Sequence, residues 1–204
     1  MGLYSRVVFP RLCDWVMNDP RMAKLRTELL TDVGGAVLEI GFGTGLNLPH
    51  YPTQVRRITT VDPNPGMNRL ARRRIAECGI AVDQRVLSGE ALPFGDGSID
   101  CVVSTWTLCS IPDAGRALGE FHRVLRPGGR FLFLEHGLSE DSRVQRWQRR
   151  LNPIQRILGD GCRLDLDVLA LVGSQPFADL HVERFEMEQV PLTHGTMYRG
   201  VATR

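Results

Sequence analysis

Between Val37 and Pro49 the chain reads VLEIGFGTGLNLP. A run of strand-forming residues ends at an acid, and Gly41, Gly43 and Gly45 then alternate with other residues. Glycine loses more freedom on folding than any other residue, so such density marks backbone that turns sharply or passes close to something. A glycine loop directly after an apolar strand suits the edge of an open α/β sheet, where ligands bind beyond the strands' carboxyl ends.

The rest of the chain keeps that rhythm. Residues 36–40, 57–62, 82–87, 100–105 and 130–136 read as strands. Between them, Pro65 opens a helix with Met67, Leu70, Ala71, Ile75 and Cys78 on one face, and Gly79 stops it. Asp113 caps another, with Ala114, Ala117, Leu118, Phe121, Val124 and Leu125 on its apolar face, and RPGG at 126–129 breaks it. Strands alternating with helices imply a parallel sheet covered on both faces. Residues 4–31 read as helical, with a second segment beginning after Pro20. After His136 come a basic amphipathic helix (141–158), a short helix (165–172) and two strands (180–187 and 196–202). The apolar alternation slips phase between Val182 and Phe185, the sign of a bulge.

Composition excludes several classes. A net charge of +2 over 204 residues fits neither a nucleic-acid binder nor an acidic tail. No apolar run reaches the roughly 20 residues of a membrane span, and the first residues show no signal-peptide core, so a cytoplasmic location is the expectation. The 5 cysteines are widely spaced without C-x-x-C, and the histidines are scattered. Linear spacing therefore indicates neither a disulfide framework nor a metal site. The oligomeric state stays open.

Asp62, ending the second strand, can accept hydrogen bonds from both hydroxyls of a ribose. The dinucleotide pattern is G-x-G-x-x-G, but here the third glycine comes one residue early. VLEIGFGTG, VDPNPGM, SGEALPFGDGSIDCVV and FHRVLRPGGRFLFLEH, in that order, resemble the class I S-adenosylmethionine-dependent methyltransferases. The resemblance implies a doubly wound, Rossmann-like, seven-stranded, mostly parallel sheet with N-terminal helices. It implies one domain over residues 1–204, with 1–31 as a helical lid and 137–165 as a substrate-side insertion. It implies S-adenosylmethionine as cofactor. Glu39 would lie near the cofactor's amino-acid end, the glycine loop beside its methionine and ribose, and Asp62 on the ribose hydroxyls. Gly89, Glu90 and Ala91 would meet the adenine. Asn47, Pro63, Met67 and Thr105 complete the expected set.

VDPNP, SGE, TLCSIPD, RVLRPGG, LEHG and GDGCRL further resemble the small methyltransferase-like family that includes animal alkyl-thiol S-methyltransferases. That implies a small, rather apolar acceptor, a thiol first. An amine (lipid headgroups included), a non-catalytic cofactor sensor and a dinucleotide enzyme stay open. Animal members carry an apolar anchor before the first strand, where this chain has a short amphipathic region.

His136 ends the fifth strand and is the base candidate, set against a plain hydrogen bond to a neighbouring loop. Trp106 ends the fourth and either walls the methyl or substrate pocket or fills core. Cys109 reads as core ahead of a nucleophile, His122 as a solvated helix residue, and His194 as a turn residue ahead of one that reaches the pocket. The 141–158 helix, with five arginines opposite Trp147, Leu151, Ile154 and Leu158, has three readings. It packs over the sheet with a solvated basic face, it is a substrate lid, or it touches an anionic membrane surface.

Overall fold

A computed structural model describes residues 2–204. Seven strands form one sheet: β1 (Val37–Ile40), β2 (Arg57–Val61), β3 (Ala81–Arg85), β4 (Ile99–Thr105), β5 (Leu125–His136), β6 (Asp179–Glu186) and β7 (Thr196–Thr203). Their order is β3-β2-β1-β4-β5-β7-β6. Pairs from β3 to β5 are parallel, and β7 runs antiparallel to both neighbours. This is the expected doubly wound, mostly parallel sheet. Its order reverses between β1 and β4, the crevice where such sheets bind ligands.

Helices α1 (Phe9–Met17) and α2 (Pro20–Leu30) precede the sheet, and a π-helical turn (Tyr4–Val8) leads into α1. α3 (Pro65–Cys78) follows β2 and α4 (Ala114–Val124) follows β4. The Asn64 side chain accepts from Gly66 N at 2.9 Å to start α3, and Gly79 ends it at φ 71°. Asp113 caps α4 by accepting from Arg116 N at 2.9 Å. On α4, Ala117, Leu118, Phe121 and Val124 are fully buried against Phe131 and Phe133 of β5. α6 (Val168–Gly173) starts later than the apolar pattern suggested, because Asp167 caps it.

The expected bulge in β6 is absent. β6 pairs with β7 in unbroken register from Asp179–Thr203 to Glu186–Thr196. β6 is an edge strand with neither face fully buried, so its side chains need not alternate cleanly. The register shift falls instead between Ile99 and Cys101, where β4 meets β5.

Helix α5 (Ser142–Leu158) does not pack on its apolar side as the packed reading expects, and its arginines are exposed as well. Its apolar side faces out, with Trp147 56% and Ile157 73% exposed. Gln148 is its one fully buried residue. The Gln148 amide donates to the carbonyls of Gly137 (2.9 Å) and Thr193 (3.1 Å) and accepts from Ser139 N (3.0 Å). Asn152 bonds Asp165 and Leu164 N on the same side. The loop after β5 presents buried backbone groups that need partners, and amides satisfy them where leucines cannot. No helix among the described residues is long and apolar enough to cross a membrane.

Candidate functional site

The site lies at the carboxyl ends of β1, β2, β4 and β5. Gly41 N donates to the Val61 carbonyl at 2.8 Å, so the glycine loop leaves β1 folded against β2. The three glycines serve different needs. At Gly41 (φ 71°) a Cβ would collide with Thr107, and at Gly45 (φ 78°) it would press on Leu48 and Phe42. At Gly43 (φ 57°) it would meet only the Gly41 carbonyl, at 3.8 Å, so this is the loop's open side.

Asp62 is buried. Its carboxylate accepts from Gly43 N at 2.7 Å and Asn64 N at 2.8 Å, which aims the acid at the loop. Burial pushes its carboxyl up to about 6. Glu39 is buried too, and burial pushes it up to about 7 against the pull of Tyr51, Asn47 and Arg26. It accepts from Asn47 Nδ2 at 2.8 Å and from the Tyr51 hydroxyl at 2.7 Å. Asn47 Nδ2 also reaches Thr105 Oγ1 at 3.0 Å.

Arg26 of α2 escaped the sequence reading. It is 4% exposed, within electrostatic reach of Glu39, and stacks 4.7 Å from the Trp106 ring. The available sign was a charge on the apolar stripe of Met22, Leu29 and Leu30. Trp106 holds a left-handed backbone, φ 49°, uncommon for a bulky side chain and most frequent at functional sites. Two buried polar atoms around Glu39 have no partner: the donor Arg26 Nε and the acceptor Asn47 Oδ1.

The adenine-loop residues divide. Gly89 is buried, and a Cβ there would press on Ile40 and Phe121. The Glu90 carboxylate is taken by Ser88 Oγ (2.7 Å) and Asp113 N (2.8 Å), so its side chain ties the loop to α4. Ala91 and Pro63 are exposed and Met67 is buried.

The N-terminal segment closes over Asp62. Asn64 Nδ2 donates to the Ser5 carbonyl at 2.8 Å, and the Arg6 carbonyl fills the space a Cβ would need at Gly66. Asp14 accepts from Thr44 Oγ1 at 2.5 Å and pairs with Arg74 at 2.7 Å. Tyr4 donates to the Leu158 carbonyl and Ser5 to Asp160, each at 2.6 Å, so residues before β1 meet the loop after α5.

Beyond β5, His136 Nε2 lies 3.2 Å from Cys162 Sγ, while Nδ1 is buried without a partner. Cys109 completes a cluster with them. The Cys109 neighbour and burial together push the Cys162 thiol well above its ordinary range. His194, in α7 (Leu192–Gly195), stands 6.1 Å ring to ring from His136 and touches Gln155 at 3.4 Å, deeper than a turn residue. Burial and the His136 charge push it down to about 4. His122 is not simply solvated: it meets Phe177 edge-on at 5.4 Å. An open groove of 430 Å³ over β5 and β7 holds none of these residues, and its Arg199 is already paired with Glu28 and Glu183.

A strand-order reversal, an open glycine loop and a buried acid at each of two strand ends define a class I S-adenosylmethionine-dependent methyltransferase. Residues 38–133 match the methyltransferase domain family. The chain is 36% identical over 190 residues to human thiol S-methyltransferase TMT1A, covering 87% of this chain and 76% of that protein. It is 31% identical over 128 residues to phosphatidylethanolamine N-methyltransferase of Cereibacter sphaeroides, covering 62% and 63%. A Thermotoga maritima S-adenosylmethionine-dependent methyltransferase, described as a possible histamine N-methyltransferase, shares the fold (TM-score 0.69, 22% identity, 98% and 97% coverage). The chain belongs to the methyltransferase family that contains the thiol S-methyltransferases, and its cofactor is S-adenosylmethionine. The residues present fit that molecule: its zwitterionic end needs a donor and an acceptor, and Arg26 Nε and Asn47 Oδ1 are buried here without partners.

Proposed function

We propose that this enzyme methylates a small, rather apolar thiol. The supporting observation is the site beyond β5, where two sulfurs and an imidazole cluster and suit a soft sulfur acceptor. The 36% identity to a thiol S-methyltransferase points the same way. The relative that methylates phosphatidylethanolamine supports the second reading, a lipid headgroup amine.

Bound S-adenosylmethionine supplies a methyl group on a sulfonium, and the protein supplies alignment. Asp62 accepts from the ribose hydroxyls with the lone pairs that Gly43 and Asn64 leave free. Gly43 lets the backbone pass close. Arg26 would hold the carboxylate, Asn47 Oδ1 would accept a hydrogen bond from the ammonium, and Glu39 fixes Asn47. The loop of Gly89–Ala91 bounds the adenine with backbone, and Met67, Pro63 and Thr105 border the cofactor. Trp106, braced on Arg26, walls the methyl side. Residues 1–31 act as a lid and 137–165 as the acceptor-side insertion within one domain.

His136 serves the acceptor half. Its Nδ1 is buried and its Nε2 is engaged with Cys162, which favours a role in holding the acceptor's sulfur over that of a freestanding base. The partner is a small molecule rather than nucleic acid, in the cytoplasm or at a membrane surface reached through the exposed side of α5. Labelled-methyl transfer to a panel of thiols and amines tests the assignment. Turnover of alkyl thiols is expected; turnover of amines alone would refute it.

A further inference from the structure

Cys109 Sγ, a His136 ring nitrogen and Cys162 Sγ lie within 4.8 Å of one another, and none of the cysteines is in a disulfide. They come from three separate segments: the turn after β4, the end of β5 and the loop after α5. The scaffold holding them is firm. Glu135 accepts from Thr107 N and Leu108 N at 3.0 and 3.1 Å, which fixes the turn carrying Cys109. Arg163 clamps the other side. Its backbone N–H donates to the Cys109 carbonyl at 3.0 Å, its Nε to the same oxygen at 3.2 Å, and its Nη2 to Ile111 at 3.1 Å. The cluster borders the donor site, because Trp106 opens the turn that carries Cys109. Cys13 of α1 lies near both Asp62 and Cys162.

We propose that Cys109, His136 and Cys162 bind a zinc ion whose fourth position takes the acceptor thiol. The inference rests on the thiol reading above and gives it a mechanism. Two thiolates and an imidazole are a zinc donor set, and three protein ligands with one open position is the pattern of catalytic zinc. Tetrahedral bonds of about 2.0–2.3 Å set ligand atoms roughly 3.3–3.8 Å apart, so small side-chain shifts close the site. The soft sulfurs select against magnesium and calcium. On coordination the acceptor's S–H bond breaks and its proton goes to solvent. The sulfur lone pair forms the new S–CH3 bond, and the electron pair of the old C–S bond stays with the donor's sulfur. The product thioether is uncharged, a weak ligand, and leaves.

The test is the metal content of the full chain, purified under reduction from zinc-supplemented cells. Stoichiometric zinc is expected. C109S and C162S should fall to background while still binding S-adenosylhomocysteine by calorimetry, which shows that they fold. C78S should keep its metal. Cobalt exchanged into the native chain should show thiolate-to-metal absorption, and 2-mercaptoethanol should shift its visible bands. Native protein without metal overturns the proposal, as does a Cys109–Cys162 disulfide in its place. Zinc loss in C13S, or cobalt bands indifferent to thiol, means a closed four-ligand site and overturns the acceptor role. Metal-free protein that still methylates thiols refutes the zinc site and leaves the thiol reading standing. Metal-loaded protein that methylates only amines refutes the thiol reading.

Discussion

Asp62 reaches across the crevice and accepts the Gly43 N–H at 2.7 Å, so the second strand's acid and the first strand's glycine loop form one unit. Replacing Asp62 with alanine should weaken cofactor binding by about 1.5–3 kcal/mol, the worth of hydrogen bonds to a charged group. The acid must be ionised to accept from both hydroxyls. Its carboxyl sits at about 6, so affinity should hold above that pH and fall as pH drops through it. Calorimetry at pH 5 to 8 measures this, and Asp62→Asn should flatten the profile there.

Glu39 bears on stability rather than on affinity. Its folded-state carboxyl, at about 7, lies above its ordinary 4.5, so between those values the folded chain binds more protons than the unfolded one. Stability from this group is full below the lower value and is lost as pH rises through the upper. Glu39→Gln should therefore gain Tm relative to the parent on going from pH 5 to pH 8. Paired thermal melts at the two pH values give the difference, and a constant gap would contradict the assignment.

Arg26 should matter only to ligands that carry a carboxylate. Arg26→Ala should weaken S-adenosylhomocysteine at least tenfold and leave methylthioadenosine, which lacks the amino-acid end, unchanged. Equal losses for both would mean that Arg26 only braces Trp106.

Gln148 satisfies three buried backbone groups at once. Gln148→Leu is closer to the ordinary rule for a buried helix position, yet it should destabilise the chain by about 3 kcal/mol, because those groups lose their partners. Urea unfolding measures it.

The outward face of α5 carries Trp147, Ile154 and Ile157 beside Arg146, Arg149, Arg150 and Arg156. Vesicles rich in anionic lipid should shift Trp147 fluorescence to the blue, and salt should weaken the effect. Ile157→Ser with Ile154→Ser should abolish the shift without changing cofactor affinity.

The proposed donor half of the site is legible in the sequence because it is local. Glu39, the glycines and Asp62 sit at strand ends that periodicity and turn chemistry reveal. Arg26 was hidden because it enters from a helix far up the chain. The grouping of Cys109, His136 and Cys162 was hidden because no linear spacing joins three loops. For α5 the pattern marked an apolar and a basic side, but both are exposed and the side turned inward carries Gln145, Gln148, Asn152 and Gln155. That depended on unpaired carbonyls at Gly137 and Thr193, which only the fold brings beneath it.

The reversed direction of β7 separates what can change from what cannot. In the proposed donor half, β2 and β4 run on into α3 and α4, which must repack if the connection lengthens. The 187–195 segment between β6 and β7 is a hairpin connection at the same edge, and it delivers His194 beside His136. Hairpin connections accept insertions with little disturbance to their sheet. New acceptor walls can therefore be grown from this one corner of the molecule while the machinery for the methyl donor stays untouched.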